Sequence, residues 1–133
     1  MMKLGDILFD LLIDVPKNRV FIDLYGYFSF EHIKEFVDHL NQLTDAFQPN
    51  TCSILVMENR LAPISQDNLT YMQKATEILL PWADKIAVVN SNRTLTHIQM
   101  KRIVAEVSKV INVNDNVKRF KTKNDALKYL NWV

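Results

Sequence analysis

The segment Lys85–Thr94 reads KIAVVNSNRT and changes character halfway. Its first part, Lys85–Asn90, is a short apolar run with two adjacent valines, which is typical of a strand buried on both faces. Thr94 can cap a following helix, because its hydroxyl can accept hydrogen bonds from the free amides of a first turn. The next apolar residues have helical spacing: Met100, Val104, Val107 and Ile111. A strand followed at once by such a helix indicates a parallel α/β unit.

The same unit occurs on both sides of this segment. Upstream, Thr51–Met57 is an apolar run that predicts a buried strand, a loop is expected over Glu58–Ile64, and a helix is expected from about Ser65 to Pro81. Downstream, Val117–Lys121 predicts a strand. Thr122 and Asp125 then have the spacing of a capping box, with Asp in place of Glu, and a short helix carries Ala126, Leu127 and Leu130.

The beginning of the chain differs, because two strands precede the first helix. The runs 7–15 and 19–28 flank the turn signal Pro16-Lys17-Asn18, which predicts a β-hairpin. Ser29 can cap the helix that follows. Its apolar stripe is Phe30, Ile33, Phe36, Val37, Leu40, Leu43 and Phe47. The predicted order is ββαβαβαβα, an α/β fold with five strands and four helices.

Bulk properties indicate one ordinary domain over residues 1–133. The chain is 48% apolar and 23% charged, and its net charge of +1 does not favour a nucleic-acid partner. The single cysteine, Cys52, favours a reducing compartment. No secretory signal and no uncharged run near the ~18 residues of a membrane span are present, so we expect a cytoplasmic protein. With only two glycines, a phosphate-cradling loop and a cofactor are not expected.

Charge is distributed unevenly along the sequence. Residues 1–50 hold 4 basic and 8 acidic side chains, whereas residues 93–133 hold 9 basic and 3 acidic ones. This asymmetry is typical of solvated surfaces. It is also compatible with an anionic partner or with pairing between two copies in a homodimer.

Two segments resemble the STAS family, the sulphate-transporter and anti-sigma-antagonist domains, especially its stand-alone bacterial members. One is Lys85–Asn90, which is similar to the strand before the family's third helix. The other is Val117–Thr122 with Asp125–Leu130, where a strand Phe precedes an Ala-Leu pair and a late Leu. With the element order, the resemblance covers about residues 6–132. It implies a STAS-like mixed sheet of five strands.

The resemblance also points to the start of the second helix. Regulatory family members carry a phosphorylated Ser or Thr there, in an Asp-Ser-Ser-Gly-Leu type of motif. The matching stretch here is Ser65-Gln66-Asp67-Asn68-Leu69, in which Asn replaces the glycine and Asp67 stands at the phosphorylated position. Asp67 could mimic a permanent phosphate, or the switch could be absent. Ser65 is also a candidate helix cap.

Ligands of open α/β sheets bind beyond the carboxyl ends of the strands. The loops expected there, 26–29, 58–67 and 90–94, should converge on one edge. Their polar and aromatic residues form the predicted binding site: Tyr27, Glu58, Asn59, Arg60, Ser65, Asp67, Asn92 and Arg93.

Other chemistry has weaker support in the sequence. His32, Glu35 and His39 share a helix face, but no further strong metal ligand is evident, so no metal site is predicted. Cys52 lies at the start of a buried strand and is expected to be structural. His97 has no identifiable catalytic partner.

We therefore predict a non-catalytic cytosolic regulatory module that binds a protein partner through the three loops. The alternative is a carrier of a small apolar or lipid-like ligand, since stand-alone proteins of this fold include lipid-binding types. A third hypothesis is a small enzyme that uses Glu58, Asp67 or His97.

Overall fold

The computed structural model describes residues 8–42, 46–111 and 117–133, and within these ranges it confirms the predicted order ββαβαβαβα. The strands are β1 (Phe9–Asp14), β2 (Arg19–Gly26), β3 (Cys52–Leu61), β4 (Ala83–Val89) and β5 (Val117–Phe120). The helices are α1 (Phe30–Gln42), α2 (Leu69–Leu79), α3 (Thr94–Ile111) and α4 (Lys123–Leu130). Short 3-10 turns at Gln66–Asn68 and Leu80–Trp82 flank α2.

The five strands form one mixed sheet in the order β1-β2-β3-β4-β5. β1 and β2 are the predicted hairpin and pair antiparallel, with Asn18 in the turn at a φ of 52°. The pairs β2–β3, β3–β4 and β4–β5 are all parallel. Four strands therefore end at the same edge of the sheet.

Alternation along the strands divides the buried residues into two clusters. On one face, Val20, Ile22 and Leu24 of β2 belong to the large cluster that includes the inner residues of α1, α2 and α3. On the other face, Leu55, Met57, Ala87 and Val89 pack against Ala126 and Leu130 of α4. A strand buried on both faces reads as a continuous apolar run, which is why β3 and β4 were recognisable from the sequence.

Side-chain caps position two helices. Ser29 and His32 form a reciprocal box before α1: the amide of His32 donates to Ser29 Oγ at 3.4 Å, and the amide of Ser29 donates to His32 Nδ1 at 3.1 Å. Thr122 Oγ1 accepts from the amide of Asp125 at 3.2 Å and caps α4. The predicted roles of Ser29 and Thr122 are therefore confirmed.

Two predicted boundaries differ in the structure. The described part of α1 runs to Gln42, and Phe47 lies outside it in the core, whereas Leu43 lies outside the described residues. β3 runs on to Leu61, because beyond an irregularity near Asp23 it pairs again with the end of β2. Glu58, Asn59 and Arg60 are therefore strand residues and do not lie in a loop.

The start of the second helix also differs from the prediction. α2 begins at Leu69, after the 3-10 turn, and the side chain of Ser65 makes no capping hydrogen bond. Among the described residues, no helix has the length and apolar character needed to cross a membrane.

Candidate functional site

Hydrogen bonds hold the carboxyl ends of β2, β3 and β4 together. The amide of Ala62 donates to the carbonyl of Gly26 at 2.9 Å, and Ser91 Oγ donates to the carbonyl of Leu61 at 3.4 Å. The β2–α1, β3–α2 and β4–α3 loops therefore meet at one edge, as the sequence predicted. We call this edge, with the first turns of α2 and α3, the loop edge.

Gly26 allows β2 to turn into the loop edge. Its φ of +80° is a left-handed conformation that side-chain-bearing residues rarely adopt. A Cβ added there would also lie 3.2 Å from the side chain of Leu8. The turn after β2 thus depends on one of the two glycines of the chain.

A side chain of α3 clamps the β3–α2 loop. Gln99 accepts from the amide of Ile64 at 2.9 Å and donates to the carbonyl of the same residue at 2.8 Å. A side-chain amide that satisfies both backbone groups of one loop residue fixes that loop against the helix. The segment that leads to Ser65 is therefore held in place by α3.

The predicted site residues divide into three sets. Tyr27, Asp67, Asn92 and Arg93 are exposed at the loop edge, and Ser65 is half-buried beside them. Asn59 and Arg60 lie at the end of β3. Glu58 is almost wholly buried, so it does not form part of an exposed contact surface.

Arg60 makes a surface ion pair with a residue that the sequence did not single out. Its Nη2 donates to Asp23 Oδ2 at 2.7 Å, and its guanidinium lies 4.8 Å from the ring centroid of Tyr25. Burial, and then the nearby carboxylates of Asp10 and Asp23, raise the pKa of Tyr25. Because Arg60 is largely exposed, the pair is worth no more than about 1 kcal/mol.

The side chain of Glu58 lies on the opposite face of the sheet from that of Arg60, under α3. Its Oε1 accepts from Arg119 Nη1 of β5 at 3.1 Å, and the same nitrogen lies 3.3 Å from Asn90 Oδ1. The pair spans the end of β4, which lies between β3 and β5. Burial raises the pKa of Glu58, and the guanidinium of Arg119 lowers it by less.

The described residues also leave two spaces near the loop edge. One is a cavity of about 50 Å³ between the sheet, α2 and α3, with mostly apolar walls and Glu58 at one side. The other is a groove of about 320 Å³ between α2 and α3, which is bordered by Gln66, Leu69, Leu95 and Ile98. We call the latter the α2–α3 groove. Leu95 and Ile98 are 56% and 51% exposed.

No protein-family model and no curated protein sequence matches the chain. Several solved structures do. A protein of the DUF3478 family from Shewanella loihica PV-4, described as having a SpoIIAA-like fold, aligns over 92% of this chain and 91% of its own, with a TM-score of 0.64 and 13% identity. The chain has the SpoIIAA-like fold.

Two further matching structures are anti-sigma factor antagonists. One, from Mycobacterium paratuberculosis, covers 98% of this chain and 99% of its own, with a TM-score of 0.58 and 11% identity. The other is SpoIIAA in its unphosphorylated form, which covers 94% and 99%, with a TM-score of 0.57 and 15% identity. The STAS resemblance found in the sequence is thus confirmed at the level of the fold.

Within the SpoIIAA-like fold, His32, His39 and Cys52 have structural surroundings. Nδ1 of His32 belongs to the cap of α1, and Nδ1 of His39 lies 2.8 Å from the carbonyl of Glu35. Cys52 is buried, and burial raises the pKa of its thiol. The described residues contain no group of three or more His, Cys, Asp or Glu side chains that could hold a metal.

Several important residues of the site were missed from the sequence. Arg119 carried a usable signal, because it alternates with Lys118 and therefore shares the inner face of β5 with Val117. A charge at an inward position predicts a buried partner. Leu95 and Ile98 fall outside the apolar stripe of α3, which indicates exposed apolar residues.

Proposed function

We propose that the chain is a non-catalytic regulatory module of the cytoplasm that binds a protein partner through the loop edge and the adjoining α2–α3 groove. The observation that carries this proposal is the exposure of Leu95 and Ile98 at the entrance to that groove. Exposed apolar side chains rimmed by polar ones are typical of protein-interaction sites. Here the polar residues that line the groove include Gln66, Arg102 and Glu106, and the adjoining loop edge exposes Asp67, Asn92 and Arg93.

The loops of the loop edge are held in fixed positions, so the surface is formed before a partner binds. Hydrogen bonds from the amide of Ala62 and the hydroxyl of Ser91 join the segments, and Gln99 holds the β3–α2 loop against α3. A surface that is already ordered loses little conformational entropy when a partner binds. Ser65 and Asp67 border this surface, so a negative charge at Asp67 would face the partner directly.

The similar structures support the same class of function. Two of them are described as anti-sigma factor antagonists, a description that implies action on another protein.

The interior space favours a protein partner over a carried apolar ligand. Pockets that hold small molecules usually have volumes of about 300–1,000 Å³. The apolar cavity beside Glu58 has a volume of about 50 Å³. A carrier role would require α2 or α3 to move away from the sheet, so we do not favour it.

An affinity capture with matched variants tests the proposal. The wild-type chain, the double variant Leu95→Asp/Ile98→Asp and the control Leu12→Asp are immobilised and exposed to a lysate of the source cells. Leu12 is 63% exposed on β1, away from α2 and α3, so its substitution introduces a charge at a distant apolar position. Captured proteins are quantified by mass spectrometry and then tested as purified partners by calorimetry.

The expected result is a partner that binds the wild type and Leu12→Asp but binds the double variant at least about tenfold more weakly. Circular dichroism checks that all three chains are folded. Equal binding of every captured protein to the three chains would show that the α2–α3 groove is not the interaction surface.

A further inference from the structure

A second groove lies between α3 and β5, on the other side of α3 from the α2–α3 groove. Its volume is about 580 Å³, within the range of small-molecule sites. Basic side chains at its wall are His97, Lys101 and Arg119, and apolar ones are Val104, Ala105 and Val117. Among its described lining residues there is no carboxylate. We call this space the α3–β5 groove.

Arg119 lies at the base of the α3–β5 groove with one half of its guanidinium engaged. Nη1 bonds to Glu58 and Asn90, whereas Nη2 is shielded from solvent and donates to no described residue. A buried donor without an acceptor costs about 1–3 kcal/mol. The side chain keeps 14% of its surface exposed, so a small tilt of the guanidinium would present Nη2 to an acceptor in the groove.

The charges around the groove indicate which acceptor fits. Arg119 and Lys101 contribute two positive charges, and Glu58 behind Arg119 removes one at a pH where its carboxyl group is ionised. The remaining single positive charge matches a monoanion. A carboxylate also matches the planar fork of a guanidinium, which binds it through two parallel hydrogen bonds.

The apolar wall indicates the rest of the ligand. Val104 and Val117 lie beside the basic residues and would contact carbon atoms, and burying each methylene group is favourable by about 0.8 kcal/mol. A free inorganic anion would leave this wall uncovered.

We propose that the α3–β5 groove binds a small organic carboxylate, whose oxygens pair with Arg119 and Lys101 and whose carbon body lies against Val104 and Val117. Glu58 competes with the ligand for the guanidinium of Arg119. This site adjoins the loop edge at Asn90 and His97 but lies on the other side of α3 from the α2–α3 groove, and its test does not depend on the proposed protein partner.

The test is a titration of the ¹⁵N-labelled full chain with hexanoate, followed by amide NMR shifts. Hexanoate should give saturable shifts that concentrate on α3 and β5. Hexylammonium, which has the same chain length and the opposite charge, and inorganic phosphate, which lacks the carbon body, should give no saturable shifts there.

Substitutions assign the binding to individual side chains. Arg119→Gln should weaken hexanoate binding at least about tenfold, and Lys101→Gln severalfold. Lys109→Gln is the matched control, because it removes one positive charge from an exposed position of α3 that lines no part of the groove. It should leave the affinity unchanged.

Glu58→Gln distinguishes a binding site from a merely structural ion pair. Loss of the competing carboxylate should strengthen hexanoate binding by about fivefold or more. A purely structural pair predicts no gain. Because Arg119→Gln could fail to fold, the exposed Lys101→Gln and Lys109→Gln pair keeps the proposal testable.

The proposal would also be overturned by the absence of saturable shifts with hexanoate, by equal binding in Lys101→Gln and Lys109→Gln, or by phosphate binding as tight as that of hexanoate. The double variant Leu95→Asp/Ile98→Asp should titrate like the wild type, and a loss of hexanoate binding in it would place the ligand in the α2–α3 groove.

Discussion

Glu58 and Arg119 show how a residue pair can be buried without being a simple source of stability. The two side chains lie 61 positions apart and meet under α3 at a distance of 3.1 Å. Removing two charged groups from water costs several kcal/mol each, and the attraction between them offsets that cost only in part. An apolar pair would suit the core at least as well, so the charges point to a role in specificity or binding.

The raised pKa of Glu58 should be visible in the pH dependence of stability. Burial raises its pKa above the ordinary value of 4.5, so the folded protein holds a proton that the unfolded chain has already released. The contribution of this group to the free energy of unfolding therefore falls as pH rises from 4.5 through the raised pKa. Glu58→Gln cannot titrate there. The free energy of unfolding of the wild type minus that of the variant should fall over that window, by at most about 1.4 kcal/mol per pH unit, and then level off.

Urea denaturation of both proteins at a series of pH values measures this difference. In an Arg119→Gln background the window should extend to higher pH while its lower end stays near 4.5, because loss of the guanidinium raises the pKa of Glu58 in the folded protein only. A wild-type-minus-variant difference that is flat, or that rises with pH, would contradict the assignment.

The residues at which the helices begin depend partly on local sequence signals and partly on tertiary contacts. α1 and α4 begin at side-chain caps that were visible in the sequence, and both caps are present. α2 begins without a side-chain cap and four residues later than the sequence indicated. Its start is determined by the loop that Gln99 holds, which is a contact between positions 35 residues apart.

The contribution of the Thr122 cap of α4 to the free energy of unfolding can be measured. Thr122→Ala removes the acceptor for the amide of Asp125 and should lower the free energy of unfolding by about 1 kcal/mol. Thr122→Ser keeps the hydroxyl and should stay within about 0.5 kcal/mol of the wild type. Urea denaturation compares the three proteins. Equal losses for Ala and Ser would show that the hydroxyl does not act as the cap.

The whole molecule consists of one sheet with a large apolar cluster on one face and a smaller one on the other. Strands β3 and β4 contribute to both clusters, so each face is anchored to the same backbone. Trp82 packs against Phe47 in the larger cluster. Trp132 packs at the smaller one, where its Nε1 donates to Ser53 Oγ at 2.9 Å. The shared strands lead us to expect that the two faces unfold together.

The two tryptophans, the only ones in the chain, can test this expectation. Trp82→Phe leaves Trp132 as the fluorescent reporter of the smaller cluster, and Trp132→Phe leaves Trp82 as the reporter of the larger one. In each variant, the urea midpoint from fluorescence should coincide with that from far-ultraviolet circular dichroism. Separate midpoints within one variant would show that the two faces unfold independently and that the chain is not a single cooperative domain.

The element order, the hairpin and the apolar faces were predictable from the sequence, because periodicity, turns and caps depend on residues within a few positions of one another. The continuation of β3 through Arg60 was not predictable in this way, since that extension depends on pairing with the end of β2. The same holds for the Glu58–Arg119 pair, which exists because the sheet order places β3 and β5 on either side of β4. The loop edge was predictable, because parallel strands end at the same edge of a sheet. The two grooves beside α3 were not, because they depend on strand order, which is set by packing across the whole chain.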